Sequence, residues 1–204
     1  MSELRKLQRP PGYELFFAPL AVVFDPNTLE RVNCAYVNSK YGHAKQLRDD
    51  GSRYFDHPKG TAWIYINELN GRDPDTIIDM LLHDIQEDTY LLSTYRISLN
   101  FGVEIALDER ALTKLPKGKE TIEEYLQRVI NRGPRVILTK LCDRLHNLRS
   151  MAGCTQEKRA MQIAETREYH LPMLILTLQE CGGEWVYYAD ALEKKINKAI
   201  ALYE

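Results

Sequence analysis

No stretch of the 204 residues approaches the roughly 18 consecutive apolar residues that a membrane-spanning helix needs, and the N-terminal MSELRKLQRPP has no apolar core of signal-peptide type. The expectation is a soluble, cytoplasmic chain with no membrane partner. Cysteine is scarce, and Cys34, Cys142, Cys154 and Cys181 show neither CxxC spacing nor the density of a secreted disulfide scaffold, which points to reduced, mostly buried thiols. Excess charge of one sign is missing as well. A formal net charge of −2 leaves no global field to draw in polyanions, which argues against a dedicated nucleic-acid binder with a strongly basic face and makes any anion site local. Internal repeats and low-complexity linkers are absent, and glycine and proline punctuate periodic segments without clustering into a boundary.

What is present is helical. With 44% hydrophobic and 27% charged residues the chain can bury one good core, which sets the expectation of a single all-α domain over residues 1–204: an extension over 1–25, a core over 26–180 and a closing helix over 184–204. Asp73-Pro74 reads as an N-cap with proline at the first helical position, followed by Ile77, Ile78, Leu81, Leu82 and Ile85 at helical spacing. Thr121 and Glu124 form a capping-box pattern for a helix closed near Gly133, where Pro134 can open the next. Thr155 caps a long segment reaching about Glu180, and Trp185 to Tyr203 alternates apolar and charged residues at helical spacing. Tyr13 to Phe24 is apolar without helical period, and the expectation there is a short β pair or an extended strap.

In LLHDIQEDT, His83, Asp84, Glu87 and Asp88 occupy relative positions 0, 1, 4 and 5, which on a continuous helix keeps them within roughly 140°. His57 lies upstream in GSRYFDHPKG. Downstream, TKLCDRLHNLRSM places Asp143 and Asn147 one turn apart on a face opposite Leu141, Leu145 and Leu148. Two imidazoles and two carboxylates from separated segments suit a divalent metal with mixed nitrogen and oxygen ligation and open water positions. Around these motifs stand Arg48, Arg53, Lys114, Lys117, Lys119, Lys140, Arg144 and Arg149. Arg48 and Arg53 are preferred as planar phosphate clamps and residues 114–119 as a mobile one, while Arg144 is a candidate for holding a carboxylate ligand in place. Tyr54 can stack on a base or pack beneath the site.

GHAKQLRDDGSRYFDHP, LLHDIQEDT, FGVEIA with LTKL, ILTKLCDRLHNLRSM and ETREYHLP together resemble the hydrolase domain of Rel/Spo-type alarmone enzymes and the stand-alone small alarmone hydrolases, over about residues 42 to 172. The resemblance implies an all-α HD fold and metal-dependent removal of the 3′-pyrophosphate from guanosine (p)ppGpp-type nucleotides. It implies Mn²⁺ held by His57, His83, Asp84 and Asp143, with Glu87 and Asp88 as catalytic carboxylates and Arg48, Asn147, Thr113 and Lys114 at nucleotide-contacting positions. Arg53 and Tyr54 join these as substrate-binding candidates. Because no synthetase motif follows, the expectation is a hydrolase only. Other readings stay open: an HD phosphohydrolase acting on ppApp, NADPH or a deoxynucleotide, or a sensor that binds alarmone without turnover. One departure stands out. Where the family commonly reads R-K-S-G, this chain has Arg48-Asp49-Asp50-Gly51, and the two carboxylates either disfavour the extra 5′ charge of pppGpp, or accept hydrogen bonds from a substrate's base, or point to water on a turn.

Overall fold

The computed structural model describes residues 10–89 and 91–204, with the backbone alone at Asp88. Residues 1–9 of the expected extension and Tyr90 lie outside the described residues. Among those described there is no strand, and Leu47 and Arg53 meet in an isolated antiparallel bridge. The all-α expectation is met. No helix is long and apolar enough to cross a membrane.

The chain divides into two compact units, one running through Arg110 and the other spanning Ala111–Glu204. In the first, α1 covers Tyr13–Ala21, α2 Pro26–Gly42, α3 Asp56–Trp63, α4 Pro74–Leu82, α5 Ile85–Asp88 and α6 Thr94–Phe101. Helix α7, Val103–Leu112, carries the chain into the second unit. The second unit holds α8 (Ile122–Arg132), α9 (Pro134–Arg149), α10 (Gln156–Glu165), a π-helical segment Thr166–Ile175, α11 (Leu176–Glu180) and α12 (Glu184–Ile200).

The expected β pair or strap at Tyr13 to Phe24 is corrected to helix α1. Its buried residues, Phe16 and Leu20, are one turn apart, and the rings of Tyr13, Phe16 and Phe17 each lie 5.3 to 5.5 Å from Tyr36 of α2. Leu15 and Val22 are 67% and 85% exposed, and these outward apolar residues hide the period in the sequence.

Helix α4 starts as its sequence dictates. Asp73 caps it by accepting from the Thr76 amide at 2.7 Å, and Pro74 occupies a position whose N–H no helix would use. Ile77, Ile78, Leu81 and Leu82 are fully buried where α4 packs on α2 and α3, each burial contributing roughly 1.5–3 kcal/mol. The helix ends at Leu82, so the continuous helix expected through Glu87 and Asp88 is corrected to two helices separated by His83-Asp84. The Met80 carbonyl, which a continuing helix would offer to the Asp84 amide, accepts from His83 Nδ1 at 2.9 Å. Asp84 sits at φ −102°, ψ −3°, outside helical geometry, and the chain turns there.

The second unit matches its caps closely. The Thr121–Glu124 capping box is formed in both directions, Gly133 separates α8 from α9, and Thr155 accepts from the Lys158 amide at the start of α10. Helix α9 anchors this unit by packing on α8 and α12, with Leu141, Leu145 and Leu148 fully buried.

Candidate metal centre

Helices α3 and α4 deliver the first part of the site. His57, second residue of α3, is fixed by its amide donating to the Tyr54 carbonyl at 2.8 Å, and His83 terminates α4. Both imidazoles are buried, and their Nε2 atoms face each other at 3.1 Å. Asp84 Oδ2 lies 3.3 Å from His57 Nε2 and 3.2 Å from His83 Nε2. With the His83 Nδ1–H donating to the Met80 carbonyl, its Nε2 presents a lone pair toward the same point. Two imidazole nitrogens directed at each other beside a carboxylate are mutually satisfied by a shared cation, and the mixed donor set fits a divalent metal of borderline softness. Without a cation, protons on the two Nε2 atoms take its place: burial pushes the Asp84 carboxyl up, but the charge of a protonated His83 and the hydrogen bonds of both imidazoles outweigh it and hold the group well below the usual carboxylate range.

The turn is braced from behind. A Cβ added to Gly42 at the end of α2 would stand 2.4 Å from Ile85 Cδ1, so glycine permits Ile85, the residue following the ligands, to seat fully in the core. Tyr54 donates its hydroxyl to Asp84 Oδ2 at 3.0 Å. Glu109, fully buried, is an electrostatic neighbour of His83 and Asp84 that the sequence did not single out. Burial raises its carboxyl well above the ordinary value, and the Asp108 and Asp84 charges add to the effect against the opposing pull of His83.

In the second unit, Asp143 is buried on α9 with both oxygens held: Lys140 Nζ donates to Oδ2 and Asn147 Nδ2 to Oδ1, each at 2.6 Å. Burial opposes the Lys140 ammonium, yet the Asp143 carboxylate keeps its pKa above the ordinary lysine value. Lys140, Lys114 and Arg128 all lie 5.2 to 5.5 Å from the centroid of the buried Tyr125 ring. The neighbouring Lys140 charge, followed by burial, lowers the Lys114 pKa. Arg144 turns elsewhere, donating to Gln162, to Glu165 and, at 2.8 Å, to His170 Nε2.

The profile of the HD domain family matches residues 34–169, two thirds of the chain. The chain belongs to the HD-domain family. It is 38% identical over 185 residues to the guanosine-3′,5′-bis(diphosphate) 3′-pyrophosphohydrolase of Aquifex aeolicus, covering 84% of this chain and 26% of that protein. It is 36% identical over 157 residues to a GTP pyrophosphokinase of Streptomyces antibioticus, covering 73% of this chain and 18% of that one. The chain therefore spans about a quarter or less of these curated relatives. In structure it resembles a metazoan ortholog of SpoT that hydrolyses ppGpp, with a TM-score of 0.67 at 22% identity over 84% of this chain and 94% of that one, a likeness of fold.

The HD turn thus brings together His57, His83 and Asp84 of the expected ligand set. Glu87 lies one turn on, exposed on α5, whereas the Asp88 side chain lies outside the described residues. Arg53 is paired with Asp56 at 3.1 Å, and the Arg48 guanidinium sits 5.8 Å from the Tyr54 ring centroid. Thr113 offers its carbonyl to Arg128. Two expectations are corrected. Arg144 is directed to Gln162, Glu165 and His170, so the visible holders of Asp143 are Lys140 and Asn147, because the Arg144 side chain leaves α9 toward α10 and the π-helical segment. Lys140, counted in the basic inventory around the motifs from which phosphate partners are expected, is a buried ion-pair partner of Asp143. Asp50 is occupied locally, accepting from Ser52 N and Ser52 Oγ at 3.0 and 2.6 Å to close the turn whose left-handed Gly51 stands at φ +78°.

Arg144 only donates, so His170 Nε2 must accept, which leaves the proton on Nδ1 facing the Glu165 carbonyl at 3.3 Å. Burial and then the Arg144 and Lys140 charges push the His170 pKa well below its ordinary 6.5, against the raising effects of the Glu165 carbonyl and Asp143. The folded HD domain therefore keeps His170 neutral while the unfolded chain takes up a proton below about pH 6.5. The contribution is fully present above that pH and is lost as pH falls, by at most about 1.4 kcal/mol per unit. Between pH 6.5 and 5 the melting temperature of His170→Gln is expected to fall less steeply than that of the wild type, whatever their offset. Parallel curves would contradict a neutral buried His170.

Proposed function

We propose that the protein is a Mn²⁺-dependent pyrophosphohydrolase that removes the 3′-pyrophosphate of guanosine (p)ppGpp-type alarmones in the cytoplasm, yielding GDP or GTP and pyrophosphate. The observation that carries the metal dependence is the convergence of His57 Nε2, His83 Nε2 and Asp84 Oδ2 within 3.3 Å of one another. The substrate class is supported by the similarity, across 84% of the chain, to the Aquifex protein that bears this activity in its name.

Asp143 is proposed as the fourth ligand, completing a set of two imidazoles and two carboxylates. Its burial, and the hydrogen bonds that fix both of its oxygens, suit a preoriented ligand. On this reading both compact units serve one catalytic domain. A divalent ion held by these four residues would supply Lewis-acid polarisation of the phosphoryl oxygens and would make water more acidic at neutral pH. Glu87, exposed one turn beyond the ligands, accepts the proton of the attacking water, and Asp88 is proposed to share this work. Water attacks the phosphorus attached to O3′, the P–O3′ bond breaks, and O3′ leaves with a proton. Lys114 and Asn147, with Thr113, Arg48 and Arg53, are proposed to border the nucleotide. A lysine with a lowered pKa beside Lys140 marks a crowded cationic locality suited to phosphate charge.

The test is a panel of ppGpp, pppGpp, ppApp, GTP, dGTP and NADPH incubated with Mn²⁺ and resolved by chromatography. Turnover of ppGpp and pppGpp with release of pyrophosphate is expected. Preferential hydrolysis of dGTP, ppApp or NADPH would replace the substrate assignment, and saturable ppGpp binding without products would replace the enzyme by a sensor.

A further inference from the structure

Tyr54 is connected to both imidazole-bearing segments of the HD turn, from one residue and by two different groups. Its backbone carbonyl accepts from the His57 amide at 2.8 Å, and its hydroxyl donates to Asp84 Oδ2 at 3.0 Å. Few residues could do both, because His57 is the second residue of α3 and Asp84 lies 27 positions further on, beyond the end of α4. Tyr54 reaches them because the segment before it is folded back on itself. Its own amide donates to the Gln46 carbonyl at 3.0 Å, the Arg48 amide donates to the Ser52 carbonyl at 2.9 Å, and Leu47 pairs with Arg53. Asp50 closes the tip of this turn.

The ring is fixed as firmly as the backbone. It stacks on buried His43 with centroids 4.7 Å apart and planes 22° from parallel, and His43 Nδ1 is itself 2.6 Å from Gln46 Oε1. The Arg48 guanidinium takes a position over the same ring, and the His57 ring meets it edge-on at 6.1 Å. A tyrosine whose ring already stacks on an imidazole and whose hydroxyl is bonded to a carboxylate is poorly placed to open a face to a nucleobase. It is well placed to hold that carboxylate. Asp84 follows the break after α4, where no helical ladder fixes its direction, and a hydrogen bond to an ionised carboxylate is directional and about twice as strong as one between neutral groups.

We infer that Tyr54 is a positioning residue of the metal centre, whose hydroxyl orients Asp84 toward the His57 and His83 Nε2 atoms, in place of the base-stacking role its sequence position suggests. The inference rests on the metal reading of the HD turn. Partners that orient a metal ligand typically govern affinity by about 10- to 100-fold.

Tyr54→Phe separates the hydroxyl from the ring. The variant keeps the stack on His43 and the carbonyl bond to His57, so the metal-free protein should melt within about 4 °C of the wild type, the span expected for one hydrogen bond in a chain of this size. Titrated with Mn²⁺ in a calorimeter, without nucleotide, it should bind with a Kd about 10- to 100-fold weaker. The upward shift in melting temperature that Mn²⁺ produces should shrink accordingly. Tyr41→Phe, which alters an exposed tyrosine on α2, should leave the Kd unchanged. A wild-type Kd in Tyr54→Phe, measured against a wild type that does bind Mn²⁺, overturns the positioning role and leaves the metal centre standing. A wild type that binds no Mn²⁺ overturns both.

Discussion

Replacing His83 by alanine is expected to abolish metal retention and hydrolysis together. His83 supplies one of two Nε2 atoms at the point of convergence, and its Nδ1 bond to the Met80 carbonyl is what fixes that nitrogen as a ligand. Alanine leaves the proposed set with one imidazole, His57, beside Asp84 and Asp143, one nitrogen donor short for a metal that also needs open water positions, and hydrolysis that depends on the metal falls to background. Asp84→Ala is expected to do the same by a different route, since it removes the carboxylate that lies against both nitrogens and halves the negative charge of the proposed set. Metal content after dialysis, measured alongside turnover and the circular dichroism spectrum, checks both variants. Wild-type metal content and activity in a folded variant would remove His83 and Asp84 from the ligand set.

Glu87→Gln is expected to separate chemistry from binding. The residue follows Asp84 by three positions, across the start of the short helix α5, and its carboxylate is exposed, so it can reach a water without being a ligand. Glutamine keeps its size and removes its basicity. Metal content and nucleotide affinity should survive, while turnover falls about 10²- to 10⁴-fold, the usual cost of losing a positioned base. Asp88→Asn is expected to behave in the same direction. If both variants turn over ppGpp at the wild-type rate, these carboxylates are solvated surface charges.

The parts of this chain written in local chemistry could be read from it. Asp73-Pro74, the Thr121 capping box, the Gly133-Pro134 junction and Thr155 each work within three residues of themselves, and each stands in the structure where its residues predict. Helix α1 was hidden by burial, which is a property of partners: Phe16 and Leu20 are core, Phe16 against Tyr36 of α2 and Trp63 of α3, while Leu15 and Val22 blur the period by facing outward. The break at His83-Asp84 was hidden for a second reason. Apolar spacing runs through it unchanged, from Ile78 to Ile85, and what marks it is a side chain bonding a backbone carbonyl three residues back.

The same division runs through the site. His57, His83 and Asp84 were legible because their residue types and order are chemical facts of the sequence. The Tyr54 hydroxyl on Asp84 spans 30 positions, and Glu109 lies in IALDERAL, a charged stretch that reads as solvated surface although the side chain is fully buried. No periodicity reports such contacts. Arg144 and Lys140 show the reverse limit, for both are arginine or lysine near a motif, and only packing tells that one holds His170 and the other Asp143.

The most direct measurement uses ppGpp carrying ³²P only in its 3′-diphosphate, incubated with the metal-stripped protein before and after Mn²⁺ is restored. Label should appear as pyrophosphate beside unlabelled GDP, only when metal is present, and not with Glu87→Gln on the same timescale. Label released as orthophosphate, label retained on the nucleotide, or full release without metal would contradict a metal-dependent 3′-pyrophosphohydrolase.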